Sequence, residues 1–210
     1  MQHLYEFMHF VNTLLNEITE FVNMEMSETE KKFSVAALAV FKRFGVRKAT
    51  MEEIAAQAAV SKPTLYATFR NKDAALGGAI RFAKDAQIQT VLLAWQSTTK
   101  LSDKLDVFFD SLVLAGFDML HDAPDAAAFD VAVGAASQDA INITRAAEIE
   151  AVQTLFETTG TLTDHGLTAL QFAGFFVNSA MNAKRLAQSR EELEQHLATL
   201  KATALALLEP

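Results

Sequence analysis

The sequence predicts an all-α fold from three observations. Glycine and proline together supply only 11 of the 210 residues, too few turn formers for a many-stranded sandwich or barrel. Apolar residues recur at three-to-four spacing through most of the chain, and the period-2 alternation of half-buried strands is absent. Ser or Thr followed three residues later by Glu stands at several segment starts, the mark of a capped helix. Hydrophobic residues make up 50% of the chain and charged ones 21%, the balance of a chain that folds around one ordinary core or two small ones.

Taken in order, residues 1–26 place Leu4, Phe7, Met8, Val11, Leu14, Leu15, Ile18, Phe21 and Val22 at the spacing of an amphipathic helix. Its polar face carries no Lys or Arg, which speaks against a membrane surface. Two readings stay open for this extension: a helix packed on its own protein or a second subunit, or a stretch upstream of a true start at Met24 or Met26. Ser27 with Glu30 opens the next helix, buried through Phe33, Ala37, Val40, Phe41 and Phe44 and stopped by Gly45. Thr50 with Glu53 opens a short helix from Met51 to Ala58, with Ile54 and Ala55 facing inward. After a break at Ala59-Val60, Ser61 caps a third helix with Pro63 in its first turn, where a missing N–H costs little. Leu65 and Phe69 are its buried stripe. A longer fourth helix begins at Asn71-Lys72 and continues to Trp95.

Further helices are predicted near 102–120, 124–136, 138–158, 163–187 and 190–208, broken at Thr98-Thr99, Ala123-Pro124, Thr159-Gly160-Thr161 and the Ser189/Glu192 capping box. The stretch from Leu167 to Met181 is apolar on two sides and needs two partners. With the stripe of the last helix, it makes Leu170, Val177, Met181, Leu193, Leu197, Leu200 and Leu207 the expected dimer interface, a four-helix arrangement completed by a second subunit. A closed monomeric bundle is the competing reading.

Composition excludes several function classes. The absence of cysteine removes disulfides, thiolate metal sites and cysteine nucleophiles. No basic secretory start and no membrane-length apolar run are present, so the expected location is cytoplasmic, without a membrane partner. The net charge of −8 conceals an asymmetry. Residues 1–26 carry −4, residues 27–84 hold eleven Lys/Arg against five Asp/Glu for +6, and residues 85–210 carry −10. A basic block inside an acidic protein gives a local face for DNA while the remainder repels random anionic surfaces.

Two short helices joined by a tight turn have the geometry that presents a helix N-terminus to the major groove. On the second of them Lys62, Pro63, Thr64, Tyr66, Ala67 and Thr68 leave the Leu65/Phe69 stripe free to pack. Thr64 can read a base edge or a thymine methyl, and the Tyr66 hydroxyl can bond a phosphate. Arg47, Lys48, Thr50 and Lys72 flank the helix, the basic ones as salt-sensitive phosphate contacts. No side chain here offers bidentate Arg–guanine or Asn/Gln–adenine pairing, so readout leans on DNA shape and thymine contacts.

These residues resemble the DNA-binding domain of the TetR/AcrR family of one-component regulators. The resemblance lies in Ala36 to Gly45 with Phe41, in Ala49-Thr50-Met51-Glu52-Glu53-Ile54-Ala55, in Val60-Ser61-Lys62-Pro63-Thr64-Leu65-Tyr66, and in Phe69, Asn71, Lys72 and Leu76. The family usually has glycine where this chain has Ala59, so a left-handed alanine at a cost of ~1–2 kcal/mol, or a different bend, is expected there. The resemblance implies an N-terminal helix-turn-helix three-helix domain over 27–73 and a C-terminal helical effector and dimerisation domain over 74–210; the extension over 1–26 is a departure on which it says nothing. It implies a homodimer on a double-stranded, near-palindromic operator, a repressor whose fourth helix tilts when a small-molecule effector binds.

Sixteen phenylalanines favour an apolar or aromatic effector, and the expected lining is Trp95, Phe108, Phe109, Phe117, Phe129, Phe172 and Phe176 with Asn142 and Arg145 as polar anchors. A filled aromatic core is the competing reading. Glu192 and His196 sit one turn apart without a third ligand, and no phosphate loop, nucleophile elbow or spaced carboxylate pair occurs, so neither a cofactor, a metal nor an enzyme activity is expected. The alternative function is a helix-turn-helix DNA-binding or interaction protein without an effector.

Overall fold

In the computed structural model, the structure describes residues 26–122, 134–160, 162 and 166–209. The expected N-terminal helix and Phe129 lie outside them, as do residues 124–133 of the helix expected at 124–136. The described residues contain helices and no strands.

Helix α1 (Glu28–Lys48) starts at the expected capping box: Ser27 Oγ accepts from the Glu30 amide at 3.2 Å, and a Glu30 carboxylate oxygen accepts from the Ser27 amide at 2.9 Å. Gly45 has φ 76° and breaks the helix, as its lack of a Cβ permits. The chain does not leave the helix there; Val46 to Lys48 add a last turn, and the Ala49 amide bonds Gly45 O at 3.1 Å. Helix α2 (Met51–Gln57) has its own capping box, Thr50/Glu53, and α3 (Lys62–Thr68) is capped by Ser61 with Pro63 in the first turn. Between them Ala59 takes φ 55°, so the turn does use a left-handed alanine.

Helix α4 (Lys72–Ser97) is capped by Asn71, whose carbonyl oxygen accepts from the Ala74 amide at 2.8 Å. Helix α5 (Leu101–Phe108) runs into a π-helical stretch, Phe109–Leu114, and then α6 (Ala115–Asp122). The wider π turn lets Phe109, Leu112, Val113 and Leu114 all be buried, where an α-helix would turn one of four outward. Helix α7 (Ala135–Thr159) begins three residues before the expected 138, because its first amides find a cap elsewhere in the chain, described below. Helix α8 (Ala169–Leu186) begins later than the expected 163, at a Thr168/Gln171 capping box, and α9 (Arg190–Leu208) follows Ser189 as expected.

Two buried clusters form. One gathers Phe33, Ala37, Val40, Phe41, Ile54, Leu65, Phe69 and Leu76 from α1 to α4. The other joins Val91 and Trp95 of α4 to α5, the π stretch and α6 to α9. Helix α4 serves both, with Ala75, Leu76 and Ala79 in the first and Ile88, Val91 and Trp95 in the second. Its 26 residues form a lever of ~39 Å at the usual helical rise.

Candidate nucleic-acid interface

The short helix α3 is held by its inner face and bare on its outer one. Leu65 is fully buried and Phe69 nearly so, whereas Lys62, Pro63, Thr64, Tyr66 and Ala67 are exposed and Thr68 half-buried. Close approach secures the anchor: a Cβ on Gly78 of α4 would lie 2.5 Å from Phe69 Cζ and 2.7 Å from Ser34 Oγ. Tyr66 keeps 43% of its surface, large for an aromatic residue beside a core.

Several expected DNA contacts are occupied within the chain. Lys62 Nζ stands 2.6 Å from Glu52 Oε1, and this hydrogen bond holds the Glu52 carboxyl below its ordinary value. The Thr64 and Ser61 hydroxyls lie 2.7 Å apart, sharing one hydrogen bond. Lys72 Nζ donates to Arg47 O at 3.1 Å, tying the start of α4 to the end of α1. Thr50 spends its hydroxyl on the Glu53 amide. Arg47 and Lys48 are exposed beside these residues. Arg70, also exposed and standing between α3 and α4, is a further basic residue beside them; at the foot of a short helix it reads from sequence as ordinary surface.

The residues expected to line an effector site divide. Phe108, Phe109, Phe172 and Phe176 pack with Phe156 in one ring cluster, with Phe109 stacked on Phe176 at 5.4 Å and Phe156 on Phe172 at 5.1 Å. Phe117 is buried beside them. Trp95 instead lines a cleft of about 690 Å³ between α4 and α7, with Leu92, Ile143, Ala147 and Leu155, and donates its ring N–H to Lys104 O at 2.8 Å. Asn142 is exposed and bonds Gln138 at 3.1 Å, whereas Arg145 points inward to Glu148 at 3.1 Å.

Of the expected interface residues, Val177, Met181, Leu193, Leu197 and Leu200 are buried in the chain's own core, and Leu207 is half-buried against it. Leu170 is 56% exposed, Phe175 56% and Leu186 63%, so α8 keeps three large apolar side chains at its surface. Helical spacing identifies which stripe is apolar but not whose atoms cover it. No described helix is long and apolar enough to cross a membrane, and the described residues hold no group of three or more His, Cys, Asp or Glu that could bind a metal.

Residues 35–76 match the family model described as bacterial regulatory proteins, tetR family. A search of curated proteins finds no significant match. Among solved structures, a TetR-family transcriptional regulator from Pectobacterium atrosepticum aligns over 90% of this chain and 98% of its own, at 18% identity and a TM-score of 0.61. A TetR-family transcriptional regulator from a Rhodococcus species aligns over 88% of this chain and 100% of its own, at 16% identity and 0.58. The transcriptional regulator FadR from Bacillus subtilis, in complex with stearoyl-CoA, aligns over 85% and 97%, at 15% identity and 0.52. Residues 35–76 thus carry the helix-turn-helix of the tetR family, and the chain shares the all-helical fold of solved TetR-family regulators.

Proposed function

We propose that the chain is a ligand-responsive repressor that binds a near-palindromic operator as a homodimer and leaves it when a small molecule with a largely apolar or aromatic body binds the C-terminal helices. The observation that carries the reading is the placement of α4. Its first turns share a core with the DNA-facing helix α3, and its last turns share a core with the aromatic cluster. A ligand that moves α4 changes the spacing of two recognition helices from the ~34 Å of successive major grooves, and a coupling of ~1–3 kcal/mol changes operator affinity about 5- to 150-fold.

The proposed DNA face is Tyr66, Thr64, Lys62, Pro63, Ala67 and Thr68 with Arg47, Lys48, Thr50 and Lys72 around it, and Arg70 added from the structure. The outer face of α8 and α9, with Leu170, Phe175 and Leu186 exposed, is the proposed dimer face over the buried layer of Val177, Met181, Leu193, Leu197 and Leu200. FadR, whose structure holds stearoyl-CoA, supports a ligand-binding role for a body of this shape. No enzyme activity is proposed.

The test is a mobility shift with the DNA flanking the chain's own gene, against a scrambled duplex, over a salt series, with light scattering for the oligomer. A sequence-selective, salt-steep complex of a dimer supports the reading. Equal affinity for scrambled DNA overturns it.

A further inference from the structure

The apolar stripes of three helices end at one level in a knot of charge. On α8 the buried stripe Phe176, Ala180 is continued one turn on by Lys184, and on α7 the stripe Phe156, Val152 is continued by Glu148 and then Arg145. On α4, Ile88 precedes Lys84 in the same way, one turn nearer the DNA-binding helices. Glu148 is only 2% exposed and stands 3.2 Å from Lys84 Nζ and 3.1 Å from Arg145 Nε. Lys184 Nζ comes up against α6 at Gly116, where an added Cβ would lie 3.2 Å from it. Lys84 and Arg145 thus pair with one buried carboxylate, and Lys184 stands within its field.

This arrangement is not balanced within the described residues. Lys84 Nζ and Arg145 Nε are buried yet make no hydrogen bond of acceptable geometry, although each lies near Glu148. Burial, followed by repulsion from Lys84, pushes the Lys184 ammonium down to about 7, against the opposing pull of Glu148. Burial likewise lowers Arg145, with Glu148 opposing. A buried ion pair is costly to desolvate even when matched, and surplus buried cations with unused donors are costlier still. What relieves them is an anion able to accept from several donors at once.

We infer that Lys84, Arg145 and Lys184, gathered around Glu148, form the site for the carboxylate of an organic-acid ligand. This deepens the proposed function, naming the effector's chemistry, and rests on it only for the consequence at DNA. An anion here would join α4, α7 and α8 at the end of the bundle nearest α3, where a small shift of α4 is felt by the recognition helix.

The experiment uses the full chain without DNA. Sodium octanoate and octan-1-ol are titrated by calorimetry and thermal shift into the wild type, Lys184→Met and Arg145→Met, with circular dichroism to confirm folding. Octanoate is expected to bind and raise the melting temperature while octanol does so more weakly. Each variant that circular dichroism shows to be folded is expected to lose roughly 10- to 100-fold in octanoate affinity, the strength of a charge-assisted hydrogen bond, and little in octanol affinity. At pH 8 the wild type is expected to take up a proton on binding octanoate, since an anion facing Lys184, Lys84 and Arg145 raises the Lys184 value above about 7; the dependence of the heat on buffer ionisation reads this. Equal responses to the acid and the alcohol, or an unchanged octanoate affinity in Lys184→Met, overturn the inference. Sequence-selective DNA binding with no octanoate response overturns the ligand class alone, and octanoate binding without selective DNA binding overturns the regulator reading alone.

Discussion

Asp73, in the first turn of α4, is the N-terminal cap of α7, a helix that starts beyond Gly134. Its carboxylate accepts from the amides of Gly134 at 3.0 Å, Ala136 at 2.8 Å and Ser137 at 3.3 Å, and from the Ser137 hydroxyl. Free amides and the helix dipole both favour an anion at this position. The two helices touch closely, since a Cβ on Gly77 would lie 2.8 Å from Ala136 O and one on Gly134 would lie 2.7 Å from Asp73. The first turn of the long helix that packs against α1 and α3 is therefore bolted to the first turn of a helix that lines both the aromatic cluster and the buried charges.

Asp73→Ala is expected to cost about 1–2 kcal/mol, the worth of a lost cap with several amides left unbonded. It is also expected to weaken ligand-induced release of DNA, because α7 no longer grips α4. Urea unfolding reads the first and operator affinity with and without ligand the second. Partial burial pushes the Asp73 carboxyl up, but the Ser137 hydroxyl and the amides of Ala136, Gly134 and Ser137 outweigh it and leave the group below its ordinary 3.8. A lowered carboxylate stabilises fully above its unfolded value and loses that contribution as pH falls through the folded one. The difference between wild type and Asp73→Ala should accordingly shrink below pH 3.8.

Ala59→Gly is expected to stabilise the DNA-binding domain. Ala59 sits at φ 55° with its N–H on Ala56 O at 3.1 Å, a left-handed position that costs an alanine ~1–2 kcal/mol. Glycine removes that strain but adds unfolded-state freedom worth ~0.4–1 kcal/mol, so a net gain under about 1 kcal/mol should appear in urea unfolding. A loss of stability would show that the turn is unstrained.

Glu52→Gln is expected to tighten DNA binding. Lys62 is paired with Glu52 at 2.6 Å in an exposed contact between α2 and α3. With the carboxylate gone, Lys62 is free for a phosphate or a guanine, and the like-charge repulsion between Glu52 and DNA disappears. Fluorescence anisotropy over a salt series should show a slope of log affinity against log salt steeper by about 1, with the gain shared by specific and scrambled duplexes. An unchanged slope would mean that Lys62 faces away from DNA.

The sequence made legible what is local. Ser27/Glu30, Thr50/Glu53 and the Ser61–Pro63 start each declare a helix within four residues, and the solvent-facing side of α3 follows from Leu65 and Phe69 being its apolar positions. What spans the chain was hidden. The start of α7 depends on Asp73, about 60 residues upstream, so Gly134 could not announce it. The buried charges are of the same kind: Lys84, Glu148 and Lys184 look like solvated surface until the fold brings three helices together. The stripe of Val177, Met181, Leu193 and Leu197 is legible as apolar, but its period is the same whether the chain's own core or a second copy buries it.

Gly78→Ala tests whether the anchoring of α3 matters more to DNA binding than to stability. Gly78 lies mid-helix in α4, where alanine is the better helix former by ~0.8–1 kcal/mol. Its Cβ would meet the Phe69 ring at 2.5 Å and Ser34 Oγ at 2.7 Å, and both neighbours are buried. Overpacking costs about 1–3 kcal/mol, so the net loss of stability should be modest, roughly 0–2 kcal/mol. The way the clash is relieved decides the function: Phe69 closes α3, and moving its ring shifts the whole seven-residue helix. Operator affinity should then fall by more than the change in folded fraction allows, while scrambled-DNA affinity, set by Arg47, Lys48 and Lys72, stays nearly constant. Equal losses on both duplexes would show that Phe69 supports the fold without setting the aim of α3.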